Sequence, residues 1–295
     1  MKIGTAGTGR MGTAIAQRLM NLGHELTVWN RTAAKTQPLA AAGAKIAATP
    51  FQLASSSEAV ITILTDAAAI DATYHGRDGL LSGNVSGKLF IEMSTVRPET
   101  EQLLALAVKG KGATLIECPV GGTVGPAKDG KLFGFVGGEA SDVARAKPLL
   151  EQLCRRVEHV GPVGAGARMK LAINLPLLVF WQAFGEALAL CRPLGLDAAR
   201  IVDIFADTSG GPNVLKGRAA ALAAALQGKD VGAITVDVDA MRKDLKTMIE
   251  EARSLGTTLP VASSALQCYD EASRAGLGKG DITTIPVRWM KQGDG

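Results

Sequence analysis

Aromatic side chains are scarce in this chain, which has 7 Phe, 3 Trp and 2 Tyr among 295 residues. Positive charge is not concentrated either, since the formal net charge is +4 at pH 7 and neither end carries a block of Lys and Arg. A groove for nucleic acid needs a basic stripe with aromatic side chains between the charges. The composition therefore argues against nucleic acid as a partner.

Cysteine is also sparse, and Cys118, Cys154, Cys191 and Cys268 have no Cys-x-x-Cys or Cys/His spacing. We interpret them as buried thiols in a reducing compartment, and we expect no metal site. Because no signal-peptide pattern precedes Lys2, the expected location is the cytoplasm.

One apolar stretch, residues 171–191, has the length of a membrane span. It contains Asn174, Pro176, Gln182 and Glu186, which hydrocarbon tolerates poorly. We therefore predict a helix buried in protein and no membrane as a partner.

The chain length, divided by roughly 150 residues per domain, predicts about two domains. Up to residue 160, short apolar runs alternate with helical patterns. Because parallel neighbours need a covering connection, this alternation predicts an α/β fold with a doubly wound parallel sheet. The predicted strands are 3–6, 26–29, 60–64, 89–91, 114–117, 132–136 and 157–160. The predicted helices among them are 11–22, 33–42, 98–109 and 140–153.

After the glycine-rich segment 161–166 the pattern is helical only. The predicted helices are a long one to about residue 192, then 197–206, 213–225, 238–255 and 261–275. We therefore predict a doubly wound domain over residues 1–162 and an all-helical domain over 163–295, joined by a long interdomain helix.

The segment Gly7-Thr8-Gly9-Arg10-Met11-Gly12 fits GxGxxG, and it follows a predicted strand and opens a predicted helix. In a dinucleotide site Gly7 permits the tight turn, Gly9 lets a pyrophosphate approach the backbone, and Gly12 lets the helix pack on the sheet. The phosphate then meets the N–H groups of the helix N-terminus. A glycine-rich turn without a ligand is the alternative.

The second strand ends Val28-Trp29-Asn30-Arg31-Thr32, without the acid that usually binds the ribose 2′-hydroxyl of NAD. Arg31 offers a guanidinium, Asn30 and Thr32 offer hydrogen bonds, and Lys35 lies one turn further on. This set suits a 2′-phosphate. We predict that NADP(H) is preferred over NAD(H); the alternative is that Arg31 is a solvated surface charge.

The turn Gly164-x-Gly166 starts a predicted helix that carries Lys170 and Asn174, four residues apart and so on one face. The residues after Lys170, up to Trp181, are nearly all apolar. A partly desolvated lysine near a helix N-terminus has its neutral form favoured, which brings its pKa of roughly 10.4 closer to working pH. Lys170 therefore suits a general acid and base with Asn174 beside it, although most helical lysines are solvated.

Two further segments, Ser94–Pro98 and Cys118–Thr123, follow predicted strands. They are expected at the carboxyl edge of the sheet, where doubly wound folds bind ligands. Ser94 could equally be the N-cap of the next helix. Lys243-Asp244 is typical of a surface pair.

Taken together, these motifs resemble those of the β-hydroxyacid dehydrogenase family, which includes 3-hydroxyisobutyrate dehydrogenases and glyoxylate/succinic semialdehyde reductases. The resemblance covers nearly the whole chain. It rests on the motifs Gly7–Gly12, Ser94–Val96, Pro119–Gly122 with Asp129–Leu132, Gly164–Gly166 leading to Lys170 and Asn174, and Lys243–Leu245.

The resemblance implies a Rossmann domain, a helical domain that forms homodimers or homotetramers, and an active site in the cleft between them. It implies that a nicotinamide gives hydride to an aldehyde or ketone carbon while Lys170 protonates the oxygen, in a reversible reaction. The implied substrate contacts are Ser94, Gly121, Gly122, Thr123, Asn174 and Asp244. The implied cofactor contacts are Arg10, Met11, Asn30, Arg31, Leu64, Thr65, Thr95 and Lys243.

Several departures from the family leave the identity of the substrate open. Gly121 stands where the family usually has a Ser, and Gly122 stands where sulfolactaldehyde reductases have an Arg. Thr123 and the backbone N–H groups of the loop could replace these side chains. Ile173 stands at the family's first Asn after the lysine, and Val236 stands where reductases often have a Phe.

Two other functions remain open from the sequence. Imine reductases are similar in architecture but usually place Asp or Tyr at the lysine position. A non-catalytic dinucleotide-binding scaffold would be expected to lose the lysine. Since Lys170 is present, we expect an NADPH-dependent reductase of a small aldehyde or keto acid.

Overall fold

A computed structural model describes residues 1–291. Its strands form one sheet of nine. They are β1 Lys2–Ala6, β2 Glu25–Trp29, β3 Lys45–Ile46, β4 Ala59–Thr62, β5 Leu89–Glu92, β6 Thr114–Glu117, β7 Val120–Gly121, β8 Leu132–Gly137 and β9 Cys154–Gly161.

The α-helices fall into two groups. Those within the sheet region are α1 Arg10–Asn21, α2 Gln37–Ala41, α3 Pro50–Ser55, α4 Ala67–His75, α5 Pro98–Gly110, α6 Val124–Asp129 and α7 Ala140–Leu153. Those that follow are α8 Ala165–Leu190, α9 Ala198–Ala206, α10 Asn213–Leu226, α11 Val238–Ser254, α12 Pro260–Ala272 and α13 Thr284–Lys291. The fold class is the predicted one, α/β followed by all-α.

The strand order is β3-β2-β1-β4-β5-β6-β8-β7, with β9 paired to β8. The pairs from β3 to β6 are parallel, as the alternation predicts. The sheet differs from an all-parallel one at β8, which runs antiparallel to β6 and β7. Between β6 and β8 the chain forms β7 and the short α6 rather than a helix that crosses over the sheet, so β8 returns in the opposite direction.

The parallel strands are buried on both faces, because alternate side chains of a strand point to opposite sides of the sheet. Ile61 and Ile91 belong to a core cluster shared with α1 and α7. Their chain neighbours Val60 and Phe90 belong to a second cluster shared with α3, α4 and α5. The first part of the chain is therefore a sheet with helices packed on each face.

Local capping determines where several helices begin. Asp66, Asp197 and Asp237 are the N-caps of α4, α9 and α11, and each carboxylate accepts a backbone N–H from the first turn. A proline opens α3, α5 and α12, at a position where its missing N–H costs nothing. Helices α3, α4 and α6 were not predicted, because six to nine residues are too few to show a clear helical period.

The described chain divides into a compact unit Met1–Ala172 and a second unit that begins at Ile173. This division lies inside α8, whereas the predicted boundary at residue 162 lies before it. The first turns of α8 belong to the first unit because they are hydrogen-bonded to Glu117 of β6.

Helix α8 is long and apolar enough to cross a membrane by length and composition alone, with a mean hydropathy of 1.4 in its most apolar window. Only 39% of that window is buried within the chain, which is less than a fully buried core helix requires.

The four cysteines are free thiols: Cys118 and Cys154 are buried, whereas Cys191 and Cys268 are half-buried.

Candidate active site

The glycine loop after β1 is shaped by close backbone contacts. Gly7 has φ +97°, and a Cβ on it would lie 2.2 Å from the carbonyl oxygen of Ile63. A Cβ on Gly12 would lie 1.8 Å from the carbonyl oxygen of Gly7. Both positions therefore require glycine, as the GxGxxG pattern predicts.

Gly9 differs from its neighbours because a Cβ added there would meet no atom within 4 Å. It is the N-cap of α1, whose first turn contains no acidic residue and receives no side-chain cap. Arg10 is exposed and Met11 is half-buried at the same helix start. Open space beside the start of a helix fits a pyrophosphate, so the loop suits a dinucleotide.

The end of β2 is tied to this loop by Asn30. Its Oδ1 accepts the backbone N–H of Thr8 at 3.0 Å, and its Nδ2 donates to the carbonyl oxygen of Thr32 at 3.0 Å. Asn30 therefore holds the glycine loop, and its predicted contact with the cofactor stays a prediction. Arg31, Thr32 and Lys35 are exposed at the same strand end.

The loops after β4 and β5 meet through Ser94. Its hydroxyl accepts the backbone N–H of Leu64 at 2.7 Å, and Leu64 itself lies beside the glycine loop, with Cδ2 3.1 Å from the position of a Cβ on Gly7. Thr65 is exposed and Thr95 is half-buried. The predicted cofactor residues of the first unit thus come together at the carboxyl edge of the sheet.

Two expectations for Ser94 need correction. The N-cap of α5 is Arg97, so Ser94 does not cap that helix. Ser94 is buried, its hydroxyl donates to Glu92 Oε1, and its backbone N–H donates to Glu92 Oε2 at 2.8 Å. With the hydroxyl directed to Glu92 and Leu64, the structure does not support the substrate contact predicted for this side chain.

The structure contains a cluster of three buried carboxyl groups that was not predicted from the sequence: Glu92, Glu101 and Glu117. Glu92 and Glu117 end β5 and β6 at the same register, and Glu101 lies in the first turn of α5. All three are at most 1% exposed. The sequence did contain a signal for this cluster, because the apolar strands β5 and β6 each end in a glutamate.

Burial governs the electrostatics of this cluster. It raises the pKa of Glu101 well above its usual range, and the neighbouring Glu92 raises it further. Burial also raises the pKa of Glu92, although Glu101 and Ser94 oppose this by hydrogen bonding. Of the two, Glu101 therefore has the more strongly raised pKa.

The predicted substrate loop follows β6. A Cβ on Gly121 would meet Phe133 Cβ at 3.6 Å, an ordinary contact. Gly122 has φ +125°, and a Cβ there would lie 2.8 Å from Leu132 Cδ2. Thr123 is exposed and its side chain makes no cap bond to α6, so the loop presents one hydroxyl and its backbone.

Lys170 and Asn174 both lie in α8, and both are half-buried. Lys170 is close to the start of the helix, as predicted, and belongs to the first unit. In the second unit, Lys243 Nζ lies 2.6 Å from Asp244 Oδ1 on α11. These two neighbours therefore form an ion pair with each other, as the sequence favours.

Known families match both parts of the chain. The NAD binding domain of 6-phosphogluconate dehydrogenase matches residues 2–161. The NAD-binding region of NADP-dependent 3-hydroxyisobutyrate dehydrogenase matches residues 164–289. The chain belongs to the β-hydroxyacid dehydrogenase family. It is therefore an NAD(P)-dependent dehydrogenase or reductase, and the open space at Gly9 agrees with this assignment.

Individual relatives of this dehydrogenase are known. It is 31% identical over 290 residues to glyoxylate/succinic semialdehyde reductase 2, chloroplastic, of Arabidopsis thaliana, an alignment covering 97% of this chain and 78% of the relative. It is 31% identical over 288 residues to 3-sulfolactaldehyde reductase of Escherichia coli K12, covering 95% and 92%. The structure of 3-hydroxyisobutyrate dehydrogenase from Salmonella typhimurium superposes with a TM-score of 0.86 at 25% identity, covering 97% and 99%.

The buried carboxyl cluster predicts how the stability of the dehydrogenase depends on pH. Because the pKa of Glu101 is higher in the folded than in the unfolded chain, this residue lowers the free energy of unfolding as pH rises from its unfolded pKa toward its folded one. Gln cannot ionise, so it removes this dependence. We expect Glu101→Gln to be more stable than the wild type at pH 8, with the gain vanishing near pH 4. Urea unfolding across this range measures it, and a gain independent of pH would contradict it.

The substrate loop predicts that two neighbouring glycines tolerate serine differently. Gly121→Ser should leave the free energy of unfolding unchanged, because its Cβ meets only ordinary contacts. Gly122→Ser should lower it by about 1–3 kcal/mol, because its φ is positive and its Cβ meets Leu132. Thermal unfolding compares this matched pair; equal losses would refute the assignment.

Proposed function

We propose that this dehydrogenase uses NADPH to reduce a small aldehyde or keto acid to the hydroxy acid, with Lys170 as the general acid. The observation that carries the proposal is the half-buried position of Lys170 near the start of α8, a segment held to the sheet by Glu117. The names of the relatives favour glyoxylate or a semialdehyde as the substrate class.

The chain's own residues account for the proton transfer. When bound, the nicotinamide cofactor supplies the hydride for the carbonyl carbon. Lys170 Nζ would donate a proton to the carbonyl oxygen as negative charge develops there, and Asn174, one helical turn on, would orient that oxygen. The Thr123 hydroxyl and the backbone N–H groups of its loop would bind the substrate carboxylate. In the reverse reaction Lys170 takes the proton back.

Two substitutions test the role of Lys170. Lys170→Ala removes the ammonium, whereas Lys170→Arg keeps a positive charge but cannot give up its proton at working pH. We expect both variants to lose about 100-fold to 10,000-fold in kcat while NADPH affinity, measured by fluorescence titration, changes little. Undiminished turnover in either variant would remove the assigned role.

The substrate class is tested by NADPH oxidation with a set of carbonyl compounds and cyclic imines. We expect turnover of glyoxylate or succinic semialdehyde. Sulfolactaldehyde should be a poor substrate, because Gly122 offers no guanidinium and its backbone disfavours a side chain. Activity on imines with none on any carbonyl would overturn the proposal.

Preference for NADPH over NADH is supported by the end of β2. No acid stands there, the Asn30 amide is engaged by Thr8 and Thr32, and Arg31 and Lys35 are exposed. A guanidinium in this position would bind the 2′-phosphate by charge-assisted hydrogen bonds.

The expected effect of Arg31→Ala is a loss of about tenfold to 100-fold in NADPH affinity with NADH affinity unchanged. Fluorescence titration with each cofactor measures it. Lys109→Ala, which removes an exposed positive charge at the end of α5, is the control. Equal affinity of the wild-type chain for NADPH and NADH would contradict the preference.

The proposal includes self-association into a homodimer or homotetramer. Leu190, Leu194 and Ile204 of the second unit are 83%, 61% and 47% exposed; a contiguous patch of such side chains would mark a protein–protein interface. Cytoplasmic location stays a prediction of the sequence.

A further inference from the structure

The start of α8 is capped by a side chain from a distant strand. Glu117 Oε1 accepts the backbone N–H of Gly164 at 2.5 Å and that of Gly166 at 2.8 Å, and Oε2 accepts the N–H of Ala167 at 3.1 Å. The first N–H groups of a helix have no partner within the helix. One carboxylate on β6 therefore supplies acceptors for three of them.

Glycines make the space for this carboxylate. A Cβ on Gly137 would lie 2.1 Å from Glu117 Oε1, and a Cβ on Gly166 would lie 2.4 Å from the carbonyl oxygen of Phe135 and 3.3 Å from Glu117 Cδ. Gly164 has φ +99°, which a side chain would strain. The Gly164-x-Gly166 turn is thus built around a carboxylate of its own chain.

This contact lies next to Lys170 along the helix. Gly166 precedes Lys170 by four residues, so the capped N–H groups are one turn, about 6 Å, before the lysine. A shift or rotation of that turn would move the ammonium.

We propose that Glu117 is a positioning residue for Lys170, because it fixes the first turn of the helix from which the lysine extends. This inference rests on the proposed function. The role distinguishes Glu117 from the other buried acids, because Glu92 accepts hydrogen bonds from Ser94 and Glu101 interacts mainly with Glu92.

The ionisation of Glu117 agrees with such a role. Burial raises its pKa to about 7, against the opposing effect of the three backbone N–H donors. The titratable groups that act on it are Glu92 of β5, Glu101 of α5 and the neighbouring thiol of Cys118, and none of them is basic. Glu117 is therefore an anion above about pH 7, where its oxygens accept the three N–H groups at the start of α8.

The test compares Glu117→Gln and Glu117→Asp with Glu101→Gln as the matched control in the same cluster. The rate of NADPH-dependent reduction of glyoxylate, or of the best substrate from the screen, is followed from pH 6 to 10. For Glu117→Gln we expect kcat to fall about tenfold to 100-fold and the pH profile to lose the acidic limb that follows the ionisation of Glu117. KM and NADPH affinity should change little. Glu117→Asp keeps the charge and should keep the limb in place.

Several results would overturn the inference. One is a Glu117→Gln enzyme that is folded by circular dichroism and has wild-type kcat and pH profile. Another is the same loss of the acidic limb in Glu101→Gln, which would assign the effect to the cluster as a whole. Lys170→Ala distinguishes a failure of the proposed function from a failure of the role of Glu117. Turnover in Lys170→Ala refutes the proposed function. An inactive Lys170→Ala together with an unaffected Glu117→Gln refutes only the role of Glu117.

Discussion

Burial of two carboxyl groups at the ends of adjacent parallel strands is the constraint on which the loops of the first unit depend. Glu92 and Glu117 occupy the same register of β5 and β6, and neither is accessible to solvent. Buried carboxyl groups must find donors inside the protein. Glu92 finds them in Ser94, which in turn holds Leu64, and Glu117 finds them in the start of α8. The acids of the sheet edge therefore organise the loops at which doubly wound folds bind their ligands.

Glycine residues also shape these loops. At Gly7, Gly12, Gly137 and Gly166 an added Cβ would lie within 2.5 Å of an oxygen atom, so these positions allow backbone and carboxylate to approach each other. Gly9 has the opposite surroundings, because a Cβ added there would meet no atom within 4 Å. The glycines of this chain thus serve both close backbone packing and open space at a helix start.

The parts of the fold that could be predicted are those with local signals. The strand 114–117 and the helix 140–153 were predicted with the bounds that the structure has. In each, the local pattern of apolar residues ends where the strand or helix ends. The antiparallel return of β8 had no such signal, since direction depends on how the intervening chain packs. Ser94 shows the same limit within the site. Its position after a strand favoured a cap or a substrate contact, but its partner is Glu92, whose burial depends on neighbouring strands.

The sequence by itself determined the family, the order of a doubly wound part and a helical part, and the placement of the glycine loop and Lys170 at helix starts. These features depend on spacing along a few turns of chain and on the order of motifs. Only the tertiary structure decided the roles of Asn30, Ser94 and Glu117. Their partners Thr8, Leu64 and Gly166 lie 22, 30 and 49 residues away, and a hydrogen bond between such distant segments exists only after the sheet has brought their strands together.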